Sequence, residues 1–421
     1  MSGQAEDVGA ISGGNGRIGT GTGALPGAGR TRRRVSGMPV LTARDLVRRP
    51  GPVALPVAAD RLSLWYSGRT ALWQGLAWLG LGPGDRVLAP AFACGAEINV
   101  LLGAGLTVDY YRVGDDLVPD LDDLAGLSAR PARAVLVTHY FGWAQPLDAL
   151  LDFAAARGLW MLEDAAHAFY SADDRDRPLG SRGDIGIWSF NKTLAITDGA
   201  ALVVRNPRGR TRGPGDHPDP WRVAGRMKAL IEVASTCRHP VLTGLAKRWL
   251  LDPLVGSVKT IRGVSPERSG PGTLDPHRQR VAFAREQATW RMSGLARYML
   301  SRALPRAEVI ARRRANYERI REGLDGVRRA RPFFRSLPPG CCPMLFPLLA
   351  DDGPGLRTHL LAHGVVVERF GSFHEAVPWS RFPLETRLQQ DLLLLPLHQG
   401  LDAGSVASLA AMVRGWDEQT R

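Results

Sequence analysis

The chain has 421 residues, 44% of them hydrophobic, and a formal net charge of +13 at pH 7. That length holds two domains, or one large domain with a smaller appendage, and no run of about 18 or more uncharged apolar residues marks a membrane span. The basic residues are dispersed and no DNA- or RNA-binding motif accompanies them, so no nucleic-acid partner is expected; an arginine-rich composition reflects coding bias as readily as a polyanionic ligand. The four cysteines, Cys94, Cys237, Cys341 and Cys342, form no CxxC pair. They outline neither a zinc site nor a disulfide framework, so no metal is expected and a reducing cytoplasm is the default location.

Residues 1–36 are rich in Gly, Ser, Thr and Arg with almost no large apolar side chain, which predicts a disordered tail. The stretch "GTGTGALPGAG" within it has no preceding strand and no GK[ST], so a phosphate loop is not expected. It has no apolar core of a secretory signal, and Met38 offers an alternative start. From about residue 60 the pattern alternates. "ALWQGLAWLGL" (71–81) predicts an amphipathic helix closed by "PGD". Short apolar runs follow at 86–90, 107–113, 134–140, 159–165, 185–190 and 201–205, with helical stretches at 96–104 and 147–157. Buried strands interleaved with helices mean an α/β domain with a largely parallel sheet. Ligands bind such sheets at the carboxyl ends of the strands, where His139, Glu163, Asp164 and Ser189 fall.

Residues 206–280 interrupt the alternation with a basic insertion and two expected helices, at 222–236 and 241–251. A basic amphipathic segment can touch a membrane, but a solvated face or a lid is the commoner use, and membrane contact is not expected. A strong helix follows at 305–324, and 344–421 alternates strands and helices as a small α+β domain does. The expected organisation is a large domain over 45–300, including the insertion, and a small C-terminal domain over 301–421.

Lys192 stands out because the chain carries only four lysines, the others being Lys228, Lys247 and Lys259, among 54 basic residues. A lone lysine between two strands is ordinary, yet lysine, unlike arginine, can lose its proton when desolvated and attack a carbonyl. Its surroundings give it meaning. "SGRTAL" (67–72), "PAFACGAEI" (90–98), "EDAAHA" (163–168) and "SFNKTLAITDGA" (189–200) occur in order. Together they resemble the DegT/DnrJ/StrS-type aminotransferases, fold-type I enzymes that use pyridoxal 5′-phosphate (PLP). The resemblance covers roughly residues 45–421 and extends to "TWRMS" (289–293), "RRRANYERI" (312–320) and "LLLLPLHQGL" (392–401).

The resemblance implies a role for each matching residue. Lys192 takes the Schiff-base position, and Asp164, 28 residues earlier, partners the pyridinium nitrogen so that the ring can act as an electron sink. An ED pair at a strand end is otherwise a common helix cap. His167 falls near the cofactor's ring oxygen, although a lone histidine is often purely structural. Gly68, Arg69 and Thr70 open a helix whose N–H groups suit a phosphate, with Arg69 standing where the family usually has threonine, and Ser189 reaches the same phosphate. Cys94 replaces the family's stacking aromatic, and Phe92 sits at a different depth. Thr289 replaces an asparagine that the partner subunit often contributes.

The implied activity is amino transfer from glutamate or glutamine to a keto or aldehyde acceptor, a sugar or related intermediate, by a homodimer. Two alternatives stay open: elimination or dehydration on the same fold, and a catalytically silent homologue that binds a partner through 206–280.

Overall fold

A computed structural model describes residues 34–207, 215–238 and 283–419, apart from residues 52, 54 and 372. The expected helix at 241–251 and the expected tail through residue 33 lie outside the described residues. The tail's other boundary needs correction. Val35 already pairs in parallel with Val365, receiving the Val366 N–H on its carbonyl and donating to Gly364 O, so backbone pairing begins before residue 37.

After a short helix α1 (Ala43–Val47), the first half of the chain builds a seven-stranded sheet from β1 (Leu62–Trp65), β2 (Arg86–Pro90), β3 (Thr107–Tyr111), β4 (Ala134–Thr138), β5 (Trp160–Asp164), β6 (Ile185–Ser189) and β7 (Ala200–Val204). Helices α2 (Gly68–Leu79), α3 (Ala96–Gly103), α4 (Leu121–Leu127) and α5 (Leu147–Ala156) connect them. The strand order is β1-β7-β6-β5-β4-β2-β3. From β3 to β6 neighbours run parallel, while β7 is antiparallel to both β6 and β1. Every residue of β4, β6 and β7 is buried, as a sheet covered on both faces requires.

Two close approaches set the layer spacing. A Cβ on Gly75 of α2 would lie 2.4 Å from Ile185 Cδ1, and one on Gly186 would lie 1.8 Å from Gly180 O. The fully buried Glu163 then pins the 180–183 loop by accepting from the N–H groups of Gly180 (2.8 Å), Arg182 (2.7 Å) and Gly183. Burial pushes its pKa up, but the His139 hydrogen bond at 3.0 Å and these N–H groups outweigh burial and hold it below the usual carboxylate range. His139 Nδ1 accepts from Gln145 N–H, so the ring proton sits on Nε2 and points at Glu163.

The basic region contributes α6 (Pro220–Arg238), and α7 (Gly294–Leu300) follows. The C-terminal part then folds as α8 (Arg306–Gly323), β8 (Ala330–Pro332), β9 (Phe346–Ala350), α9 (Gly353–Ala362), β10 (Glu368–Arg369), α10 (Pro383–Asp391), β11 (Leu392–Leu395) and α11 (Ala403–Gln419). Its four strands form a second, antiparallel sheet in the order β10-β11-β9-β8. One hydrophobic cluster runs through both sheets, from Leu88 and Val135 to Leu348 and Leu393.

Where the two sheets meet, Arg313 of α8 is fully buried. Its guanidinium donates to Gln399 Oε1 (2.8 Å), Pro343 O (3.0 Å), Met344 O (2.7 Å) and Thr193 O (3.0 Å). Removing it leaves four buried oxygens short of a donor. Arg313→Met is therefore expected to lower stability by about 3 kcal/mol, measured by urea denaturation; a loss below 1 kcal/mol would mean these contacts are replaceable by water.

Candidate active site

The pocket lies at the carboxyl ends of the central strands. Strand β6 ends at Ser189 and a single turn, Phe190–Lys192, carries the lysine out of the sheet. Neighbouring β5 ends at Asp164, in register with Thr138 on one side and Ile187 on the other. The charge of Lys192 acts on Asp164, His167 and Cys94, so these four expected site residues converge.

Asp164 accepts the Ala166 N–H at 2.9 Å. Burial first, and the Glu97 carboxylate second, push its pKa up to about 6 against the pull of Lys192. His167 stacks on Phe141, with ring centroids 5.7 Å apart and planes 17° apart, and meets Phe370 edge-on. Burial, then the Lys192 charge, holds its imidazole well below the ordinary value, so it is neutral. Its Nδ1 is buried without a hydrogen-bond partner.

Sequence reasoning passed over Glu97. It follows Cys94 by one helical turn and is nearly fully buried. Its carboxylate accepts the Cys94 N–H at 2.9 Å and the Cys94 S–H at 2.7 Å. Burial and the Glu97 charge push the thiol up strongly, so Cys94 is a held thiol, not a thiolate. The pairing was detectable as a carboxylate three residues after the cysteine, a spacing also typical of a helix-start box. Phe92 is no substitute for the missing aromatic. Strand β2 ends at Pro90, so alternation does not govern residues 91–95, and Phe92 packs into the core against Tyr140 and Phe370.

Beside this group sits the N-terminus of α2. Ser67 caps it by accepting the Thr70 N–H. The Cα of Gly68 lies so near β6 that a Cβ there would be 3.8 Å from Ser189 Cβ, which brings Gly68, Arg69 and Ser189 together. Ser189 Oγ donates to Asn191 Oδ1 at 2.8 Å. Thr70 has a different task from the one expected. Its N–H is spent on Ser67, and its hydroxyl donates to Gln287 O at 3.1 Å, so it anchors the helix start. Thr289 is exposed, bonded to Asp216, on a segment whose Arg291 bridges to Trp65 at the β1 edge; it does not enter this pocket from its own chain.

A half-buried carboxylate with a raised pKa near a lysine, an orphaned imidazole nitrogen and N–H groups at a helix start form a coherent donor set. They match what PLP requires: a partner for a cationic ring nitrogen, one for a ring oxygen, and a phosphate cradle. Among the described residues, no cluster of His, Cys, Asp or Glu could hold a metal ion, and no helix is long and apolar enough to cross a membrane.

Fold and site together define an α/β protein of the fold-type I PLP-transferase class. Residues 65–212 match the model of the DegT/DnrJ/EryC1/StrS aminotransferase family. It is 33% identical over 156 residues to dTDP-4-dehydro-2,3,6-trideoxy-D-glucose 4-aminotransferase of Saccharopolyspora spinosa, covering 36% of this chain and 40% of that one. It is 31% identical over 236 residues to L-glutamine:2-deoxy-scyllo-inosose aminotransferase of Streptoalloteichus tenebrarius, covering 49% and 54%. The chain thus aligns with about half or less of the length of these curated relatives. Among solved structures, the aminotransferase TlmJ from Streptoalloteichus hindustanus matches with a TM-score of 0.63 at 22% identity, over 93% of this chain and 100% of that one. All three are named as aminotransferases, and none for elimination or a non-catalytic role.

Asp164 gives a measurable signature. An acid whose folded pKa is raised binds more protons folded than unfolded, so stability falls as pH rises from its unfolded value near 4 through 6. The cost at neutral pH is on the order of 3 kcal/mol. Asp164→Asn is therefore expected to make the cofactor-free protein more stable at pH 7.5 and to flatten its stability between pH 5 and 7.5. Urea denaturation at the two pH values checks this; an unchanged slope would mean Asp164 titrates normally.

Proposed function

We propose that the protein is a PLP-dependent aminotransferase, moving an amino group from glutamate or glutamine to the carbonyl of a sugar or cyclitol-like acceptor. The observation that carries this is the convergence of Lys192 and the half-buried Asp164 at adjacent strand ends. PLP, when bound, supplies an aldehyde for the amine and a ring that withdraws electrons from the carbon losing a proton. Asp164 holds a negative charge against the ring nitrogen and so keeps that nitrogen protonated. His167, neutral and donating from Nδ1, serves the ring oxygen. Ser189 Oγ and the N–H groups of Gly68 and Arg69 hold the phosphate. Lys192 Nζ would be the group that takes the proton from the substrate's α-carbon. The Cys94 thiol, fixed by Glu97, covers the ring face where relatives carry an aromatic.

The sugar or cyclitol acceptor is supported by the names of the relatives, which include a dehydro-trideoxyglucose and an inosose aminotransferase. The same family resemblance supports a homodimer, with the exposed Thr289 serving the partner's pocket; light scattering of the loaded protein is expected to give twice the chain mass.

The decisive experiment is borohydride reduction of PLP-loaded protein followed by peptide mapping. The parent is expected to yield one cofactor-bearing peptide containing Lys192. Lys192→Arg keeps the charge but cannot attack the aldehyde; it is expected to fold, to yield no such peptide and to lose amino transfer. Labelling at Lys228, Lys247 or Lys259 instead would refute the assignment.

A further inference from the structure

Through Arg226, the basic helix α6 reaches both the turn before α2 and the loop that follows Lys192. Arg226, in its second turn, has its guanidinium carbon 4.5 Å from the centroid of the Tyr66 ring and donates from Nη1 to Thr197 O at 3.3 Å. Tyr66 directly precedes the Ser67-capped turn that carries Arg69, and Thr197 lies in the loop that leaves Lys192. The Arg69 and Arg226 guanidinium groups, from unconnected elements, are thus neighbours beside this ring. They act on each other: burial, then the Arg226 charge, holds the Arg69 guanidinium below its ordinary value.

Among the described residues no carboxylate forms an ion pair with Arg226. Asp198, whose charge reaches Tyr66, is committed elsewhere, accepting Ser293 N–H at 2.9 Å, Ser293 Oγ at 2.7 Å and Thr197 Oγ1 at 3.0 Å. Arg222, one turn earlier, is paired with Glu286 at 2.8 Å on the surface. Two close cations cost energy that an oxyanion between them offsets, and a planar guanidinium is the side chain best shaped to bind carboxylate or phosphate.

We propose that Arg69 and Arg226 jointly bind an oxyanion group of the substrate, carboxylate or phosphate, at the mouth of the Lys192 pocket. The proposal rests on the aminotransferase reading in taking Lys192 as the reacting centre. The cofactor's phosphate has its own donors in Ser189 and the backbone of Gly68 and Arg69, whereas Arg226 stands on a helix outside the sheet. The sequence offered only a basic insertion here; the fold turns one of its arginines inward.

The test is calorimetric titration with two probes, on protein with and without PLP. Glutarate has the carbon chain and both carboxylates of the glutamate donor, and inorganic pyrophosphate represents a phosphorylated acceptor. At least one is expected to bind. Arg226→Ala should weaken that probe tenfold or more, Arg226→Lys should fall between, and Arg222→Ala should stay within twofold of the parent. A loss confined to glutarate assigns the pair to carboxylate, and one confined to pyrophosphate assigns it to phosphate. Absence of binding to the parent, or parental affinity in Arg226→Ala, overturns the proposal. So does weaker PLP uptake by Arg226→Ala with unchanged probe affinity, which would give the arginine to the cofactor. PLP uptake is followed separately by absorbance, so a chain that takes up none refutes the aminotransferase reading while the titration still decides the arginine pair.

Discussion

The structure depends on one buried cation. Arg313 sits where α8, the 341–344 turn, the 399 loop and the lysine loop meet, and its guanidinium is satisfied by oxygens alone. Gln399 doubles the grip, accepting from Arg313 while its own Nε2 donates to Thr193 O at 3.0 Å. A carboxylate could have neutralised this charge, but only by adding the desolvation cost of a second buried ion. Four neutral oxygens instead divide the work among three chain segments, so the lysine loop is located by residues more than a hundred positions downstream. The position of Lys192 is thereby a property of the whole chain.

The same logic explains the asymmetry between the two carboxylates that end β5. Glu163 and Asp164 are adjacent and both withdrawn from water, but alternation sends them to opposite faces. Glu163 meets a histidine and three backbone N–H groups and remains an anion. Asp164 meets one N–H group and a second carboxylate, so its charge is costly until a cation arrives. One is saturated and structural; the other is held ready for a ligand.

Much of this was legible in the sequence. The strand runs at 86–90, 134–140, 159–165 and 185–190 were visible because buried parallel strands read as unbroken apolar stretches, and the lysine and aspartate stood at their ends. The four-residue β1 and the polar α4 were not, because neither is long enough to show a period. Arg69 and Cys94 were marked as departures from the family pattern. Their partners were hidden for a different reason. Arg226 and Glu97 carry no distinguishing local pattern, one being a basic residue in a basic helix and the other an acid at a helix start. Their significance comes from contacts across the fold, which periodicity cannot report.

The pairing of Val35 with Val365 carries a consequence for biosynthesis. At translation rates of roughly 5–20 residues per second, the N-terminal segment waits tens of seconds before its partner leaves the ribosome. The single core shared by the two sheets delays closure in the same way, since Leu88 and Val135 are made long before Leu348 and Leu393. Through that interval the growing chain exposes the apolar face of a nearly complete parallel sheet. Such a surface invites aggregation, and the excess positive charge spread along this chain supplies a repulsion between nascent copies when they are most vulnerable.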